Sequence, residues 1–216
     1  MPQSQLDLFI TSFGETLLMI SVPGLLGTLL GGVLGLFLHL AHRRVLATTR
    51  LSRFLRLVTR CLRSTPSIII LAAFISAAHM LLGGANGLSI TITPLVVIAT
   101  SFVAHYVETA MNNVNLDIIE TAHATGASCR KVICQTLIPK AAADIISGLG
   151  TTLTSLVGFS ALAGAIGGGG LGELCIKLGY ANNLPDVMLA AVIMLVALAE
   201  TCHVLGHALA QRLNQQ

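Results

Sequence analysis

Apolar runs of about 18 residues, the length that crosses roughly 30 Å of hydrocarbon, recur along this chain and alternate with short polar segments. The pattern predicts five membrane-spanning helices, over residues 16–40, 67–82, 91–111, 145–166 and 187–209, the second of them short and polar at its edges. A barrel is excluded, because barrel strands alternate apolar and polar positions over about 10 residues and no stretch here alternates for long. The expected fold class is therefore all-α, one polytopic membrane domain covering residues 1–216. The segment before the first span has no Lys or Arg and carries Asp7 and Glu15, unlike the basic start of a secretory signal, so this span is expected to stay in the mature protein.

Composition agrees with the pattern: 54% of residues are hydrophobic and 10% charged, where soluble domains carry about 25% charged residues. Mean hydropathy is +0.85. The charges are unevenly placed. Arg43, Arg44, Arg50, Arg53, Arg56, Arg60 and Arg63 all fall between the first two predicted spans, whereas residues 83–90 carry none. Short loops rich in Lys and Arg stay in the cytoplasm, which places this arginine loop and the C-terminus inside and the N-terminus outside. Arg130, Lys131, Lys140 and Arg212 fall on the same inner side, and Lys177 falls outside. Beside apolar spans such a cluster reads as a topology signal or an anionic-lipid contact, not as a nucleic-acid site. Cys61, Cys129, Cys134, Cys175 and Cys202 form no CxxC pair and are scattered, so no disulfide framework is expected.

Gly27, Gly31 and Gly35 recur at intervals of four in the first span, and Gly164 and Gly168 repeat that spacing at the end of the fourth. Small residues so spaced let helix backbones approach closely, which matters in lipid because no hydrophobic force drives helices together there. Ionisable groups at membrane depth would mark an ion or proton path. Glu200 in the last span and Glu108 near the inner end of the third are the candidates, too few for an ion-coupled carrier of the usual kind. His203 and His207 share a helix face next to Cys202 and supply only half a metal shell. There is no phosphate-binding GxxxxGK[ST], no dinucleotide fingerprint and no nucleophile–base pair, so no catalytic, metal or cofactor residue is expected and the chain is not read as an enzyme.

One polar stretch interrupts the apolar pattern: ETAHATGASCRKVICQTLIP, residues 120–139. Asn115 can cap a short helix whose first turns hold Asp117 and Glu120, where the helix dipole favours negative charge. Gly126 can end that helix in the left-handed conformation, and Ser128 can start a second that carries Val132, Ile133 and Leu137 and stops near Pro139. Such a hairpin at the inner face either caps the bundle or docks a cytoplasmic partner.

Glu120, Thr121 and Ala122, then Gly126, then Ile138 and Pro139 resemble the EAA loop of ABC importer permeases, with Thr121 where that loop has alanine. The resemblance implies a type I ABC importer permease fold in which the loop, about residues 113–140, is the coupling helix that docks into the ATPase subunit. Its docking residues would be Glu120, Thr121, Ala122, Gly126, Ala127 and Pro139. LVGFSALAGAIGGGGLG, from Leu156 to Gly172, is similar to a segment of methionine-importer permeases, as is LRSTP from Leu62 to Pro66. The implied partners are a second copy of the chain, two cytoplasmic ATPases that bind the ATP, an extracytoplasmic substrate-binding lipoprotein, and membrane lipid of a bacterial inner membrane. Phe159, Ser160 and Leu162 are the expected gate and substrate path, and the outer loops expected over residues 83–89 and 171–186 are the expected docking surface for the binding protein. The alternatives are a permease for another amino acid or small solute such as a phosphonate, and an ion-coupled secondary transporter.

Overall fold

The computed structural model describes residues 3–42, 50–82, 88–114 and 132–214. Every element among them is helical: α1 (Gln3–His42), α2 (Arg50–Ser64), α3 (Ser67–Leu82), α4 (Leu88–Asn112), α5 (Ile138–Ala165), α6 (Gly170–Leu174) and α7 (Pro185–Asn214). Segments Leu6–Ala41, Ile90–Asn112, Ile138–Ala165 and Pro185–Leu213 are long and apolar enough to cross a membrane. A fifth crossing is available if Arg50–Ser64 and Ser67–Ala77, bent by 105°, act as one broken span.

Many hydroxyl residues sit inside these apolar helices by donating within their own turn. Thr16 Oγ1 reaches Ser12 O at 2.9 Å, Thr100 Oγ1 reaches Val96 O at 2.8 Å, and Thr152 Oγ1 reaches Gly148 O at 2.8 Å. A hydroxyl satisfied in this way costs little in lipid.

Close backbone approaches at glycine organise the bundle. A Cβ at Gly27 would stand 2.5 Å from Ala99 Cβ, one at Gly31 would stand 2.7 Å from both Thr100 O and Val103 Cβ, and one at Gly35 would stand 2.6 Å from Ala104 O. The stripe on α1 is thus the seat of α4. Gly150 of α5 faces Gly206 of α7 just as closely, and the ring of Tyr106 covers Gly148. Around these seams Met19, Leu71, Leu95, Ile98 and Leu156 form the main core, while Val103, Val107, Met111, Leu137 and Ala141 form a second.

Three expectations are corrected. The stretch of arginines is not a loop over residues 50–64 but the helix α2. Leu51, Leu55, Val58 and Leu62 fall on one side of it and Arg53, Arg56, Arg60 and Arg63 on the other, and that helical period stabilises a helix lying along an interface. Nor does the helix before Pro139 stop there: a π-helical turn, Ile133–Leu137, leads directly into α5, with Ile138 N–H donating to Ile133 O, five residues back. Proline has no N–H to lose in the first turn of a helix, and the wider turn before it eases the ring past the preceding carbonyls. Thirdly, residues 171–186 are mostly not a plain loop. They contain most of α6 and a second π turn, Cys175–Tyr180, with Leu171 and Leu174 buried.

Candidate functional site

Three parts of the bundle combine polar groups with open space. At the end where α1 starts and α5 stops, the chain leaves α5 through residues 167–170. Gly169 and Gly170 adopt φ of 93° and 74°, a left-handed backbone that favours glycine. Their N–H groups point away from any helical acceptor and are taken up by side chains: Gly169 N–H donates to Glu173 Oε2 and Gly170 N–H to Glu15 Oε2, each at 2.7 Å. Leu171 N–H donates to Thr16 Oγ1 at 2.8 Å, and Thr91 Oγ1 donates to Gly168 O at 3.1 Å. The glycine turn is therefore clamped from α1 and α4. A cavity of about 560 Å³ opens beside it, lined by Ser12, Glu15, Glu173 and Lys177 among others, with Lys177 ion-paired to Glu173.

The second part is one face of α5. Thr151, Thr154, Ser155, Gly158 and Leu162 follow helical spacing along that face. Leu162 is 37% exposed, and a Cβ at Gly158 would meet nothing within 4 Å. The opposite arc, with Thr152, Leu156, Ser160, Ala163 and Gly164, is buried. A small, hydroxyl-bearing, open face on a membrane helix differs from the leucine-rich surfaces of α1 and α7, where Leu25, Leu29, Val33, Leu189 and Ile193 are exposed. Lipid favours the latter kind of surface; a polar solute or another small-residue helix favours the former.

The third part lies at the opposite end, where α2 crosses α4. Arg56 Nη2 stands 3.2 Å from Glu108 Oε1 and donates to Leu38 O at 3.0 Å. His39 Nδ1 and Asn112 Oδ1 are 2.8 Å apart. Glu108 thus belongs to an ion pair between helices.

The residues expected to form the gate do not share a face. Phe159 is half-buried and meets Phe102 of α4 edge-on, with ring centroids 5.7 Å apart. Ser160 is buried and donates to Val157 O at 2.8 Å, while Leu162 points to the open side. Gly27, Gly31 and Gly35 face α4; Gly164 lies against Gly169 O and Glu173 N, and Gly168 against Thr91. Pro139 is exposed in the first turn of α5. Glu120, Thr121, Ala122, Gly126 and Ala127 lie outside the described residues. Glu200, His203 and His207 are exposed on α7, the two imidazoles 4.5 Å apart, and among the described residues no three metal-ligating side chains come together.

Sequence reasoning missed Glu15 and Thr16 as partners of the glycine turn, and Phe102 as the partner of Phe159. Glu15 carried a usable signal, an acid at the edge of an apolar span. Its partner lies 155 positions away, and only a run of glycines in positive φ, which orphans successive N–H groups, hints at the need for such an acceptor.

Comparison with known proteins decides the family. A profile described as "Binding-protein-dependent transport system inner membrane component" matches residues 27–215. The chain belongs to that family. As an inner membrane component of a transport system it is a multi-pass permease and not an enzyme. Among its relatives, the probable D-methionine transport system permease protein MetI of Vibrio cholerae serotype O1 is 33% identical over 211 residues, covering 97% of this chain and 94% of that protein. The methionine import system permease protein MetP of Bacillus subtilis is 33% identical over 149 residues, covering 69% and 67% of the two chains. Among solved structures, a chain of the MetNI methionine ABC transporter in inward-facing conformations superposes with a TM-score of 0.90 at 31% identity, covering 99% of both chains. A chain of an amino acid ABC transporter crystallised with histidines has a TM-score of 0.79 at 16% identity, a likeness of fold alone. The family's permease fold is thus the fold of this inner-membrane component.

Proposed function

We propose that this chain is the transmembrane permease subunit of an ATP-binding-cassette importer and forms the translocation pathway for methionine, as the L form, the D form or a derivative. The observation that carries the substrate is its similarity to the Vibrio cholerae MetI over 97% of this chain. The working assembly is two copies of the chain, two cytoplasmic ATPases that bind the nucleotide, and an extracytoplasmic substrate-binding protein. The chain's own work is then mechanical. Closure of the ATPases moves the segment around Glu120, Thr121, Ala122, Gly126, Ala127 and Pro139, and rigid helices carry that displacement to the gate.

The open face of α5 supports a path there. Thr151, Thr154 and Ser155 donate their protons to Ser147 O, Gly150 O and Thr151 O, so each oxygen remains an acceptor for a substrate ammonium group. Leu162 stands on the face with bulk that can close it, and Phe159 borders it, packed against Phe102. The N-terminus lies outside and the C-terminus in the cytoplasm, since α2 carries five arginines at the end where α1 finishes. The glycine turn and α6 then face the substrate-binding protein.

The test is uptake of labelled methionine into proteoliposomes holding this chain with its ATPase and binding protein. ATP-dependent accumulation of methionine above that of other amino acids is expected, and Glu120→Ala and Gly126→Leu should insert normally but transport poorly. Accumulation without ATP would overturn the importer reading, and equal uptake of unrelated amino acids would overturn the substrate.

A further inference from the structure

The ion pair between α2 and α4 is part of a larger basic recess that the transport cycle above does not use. Arg56, Arg60 and Arg63 follow helical spacing on α2, His105 and Thr109 do so on α4, and together with Glu108 they line a cavity of about 350 Å³. Arg56 is already paired with Glu108, which among the described residues leaves two positive charges in excess at the mouth. Arg60 and Arg63 are exposed, and among the described residues neither has a carboxylate within ion-pair distance.

The other side of the same helix is apolar and partly exposed: Leu51 is 56% exposed and Phe54 59%, while Leu55, Val58 and Leu62 are half-buried. The helix meets α3 at 105°, so it lies across the end of the bundle instead of along it. A helix with these two sides settles in the interfacial plane, its apolar side sunk about 5–10 Å into the headgroup boundary. That immersion brings the arginines opposite to the depth of lipid phosphates.

We infer that α2 is an interfacial helix whose arginine recess binds the phosphate headgroup of an anionic phospholipid. Arg60 and Arg63 supply fork-shaped donors that match phosphate oxygens, and Thr109, its hydroxyl 3.5 Å from His105 Nδ1, lines the same recess. Arg56 neutralises Glu108, which would otherwise repel the anion. A free phosphate would gain nothing from Leu51 and Phe54, whereas a lipid already sits where those side chains must go. The inference rests on the chain being a membrane protein and not on what it transports.

The full chain purified in detergent, titrated with phosphatidylglycerol and phosphatidylcholine and read by native mass spectrometry, tests this. The expected result is tighter binding of phosphatidylglycerol, with a loss of about fivefold for each arginine removed in Arg60→Ala and Arg63→Ala, and no change in Lys177→Ala. Leu51→Ser with Phe54→Ser should weaken both lipids, and millimolar inorganic phosphate should leave phosphatidylglycerol bound. Equal affinity of the native chain for the two lipids, or an undiminished preference after both arginines are removed, would overturn the inference. So would full displacement by inorganic phosphate with no effect of the apolar substitutions. If the alanine variants lose helical circular dichroism, Arg60→Gln and Arg63→Gln carry the same test. Failure here is distinct from failure of the permease reading, because no transport is measured.

Discussion

Gly31 and Gly158 are the same residue on two long membrane helices, yet their surroundings are opposite. A Cβ at Gly31 would lie 2.7 Å from a backbone oxygen of α4, whereas one at Gly158 would meet nothing within 4 Å. The α1–α4 seam is closed around missing side chains; the α5 face is left open by them. In lipid a small residue therefore has two uses, to bring backbones together or to keep a surface narrow and unobstructed, and spacing alone does not separate them.

Gly31→Leu should produce the largest effect. Backbone atoms of α4 cannot yield as a flexible side chain would, so the helices must part, at a cost of about 3 kcal/mol or more. A lowered thermal midpoint or loss of a monodisperse peak in detergent would register it, and a variant as stable as the parent would mean that α1 and α4 are not seated as described. Next comes Glu15→Ala, which leaves Gly170 N–H without its acceptor and should cost about 2 kcal/mol. Glu15→Gln keeps an acceptor and should recover most of that loss, with faster hydrogen exchange at Gly170 confined to the alanine variant. A double-mutant cycle between Phe102 and Phe159 should return a coupling of about 1 kcal/mol, the worth of an edge-on aromatic pair. Gly158→Ala is the smallest in stability and the most telling in function. Alanine is favoured over glycine inside a helix by about 1 kcal/mol, so the variant should be as stable as the parent or slightly more so. Its methionine uptake should nevertheless fall. Unchanged uptake would remove the α5 face from the proposed path.

Much of the architecture was legible before any coordinate. The apolar runs are long because hydrocarbon is thick, and a helix satisfies its own backbone there, so the four long spans and their order follow from local pattern. The stripe of Gly27, Gly31 and Gly35 was legible as a close-packing surface, although not which helix it would meet. What misled was also local. The five arginines from Arg50 to Arg63 read as a loop when charge was counted and as a helix when the leucines between them were, and Pro139 read as a stop because a π turn leaves no mark in composition.

By itself the order of side chains determined that this is a helical membrane protein with four long apolar helices, and which residues are small enough to let helices touch. Each of these depends on the transfer of single residues or turns into lipid. Tertiary structure alone decided that Glu15 and Thr16 hold the glycine turn and that Phe102 meets Phe159. Those pairings depend on how helices far apart in the chain rotate and lean together, and that rotation is set by the sum of many weak contacts, which no short stretch of sequence contains.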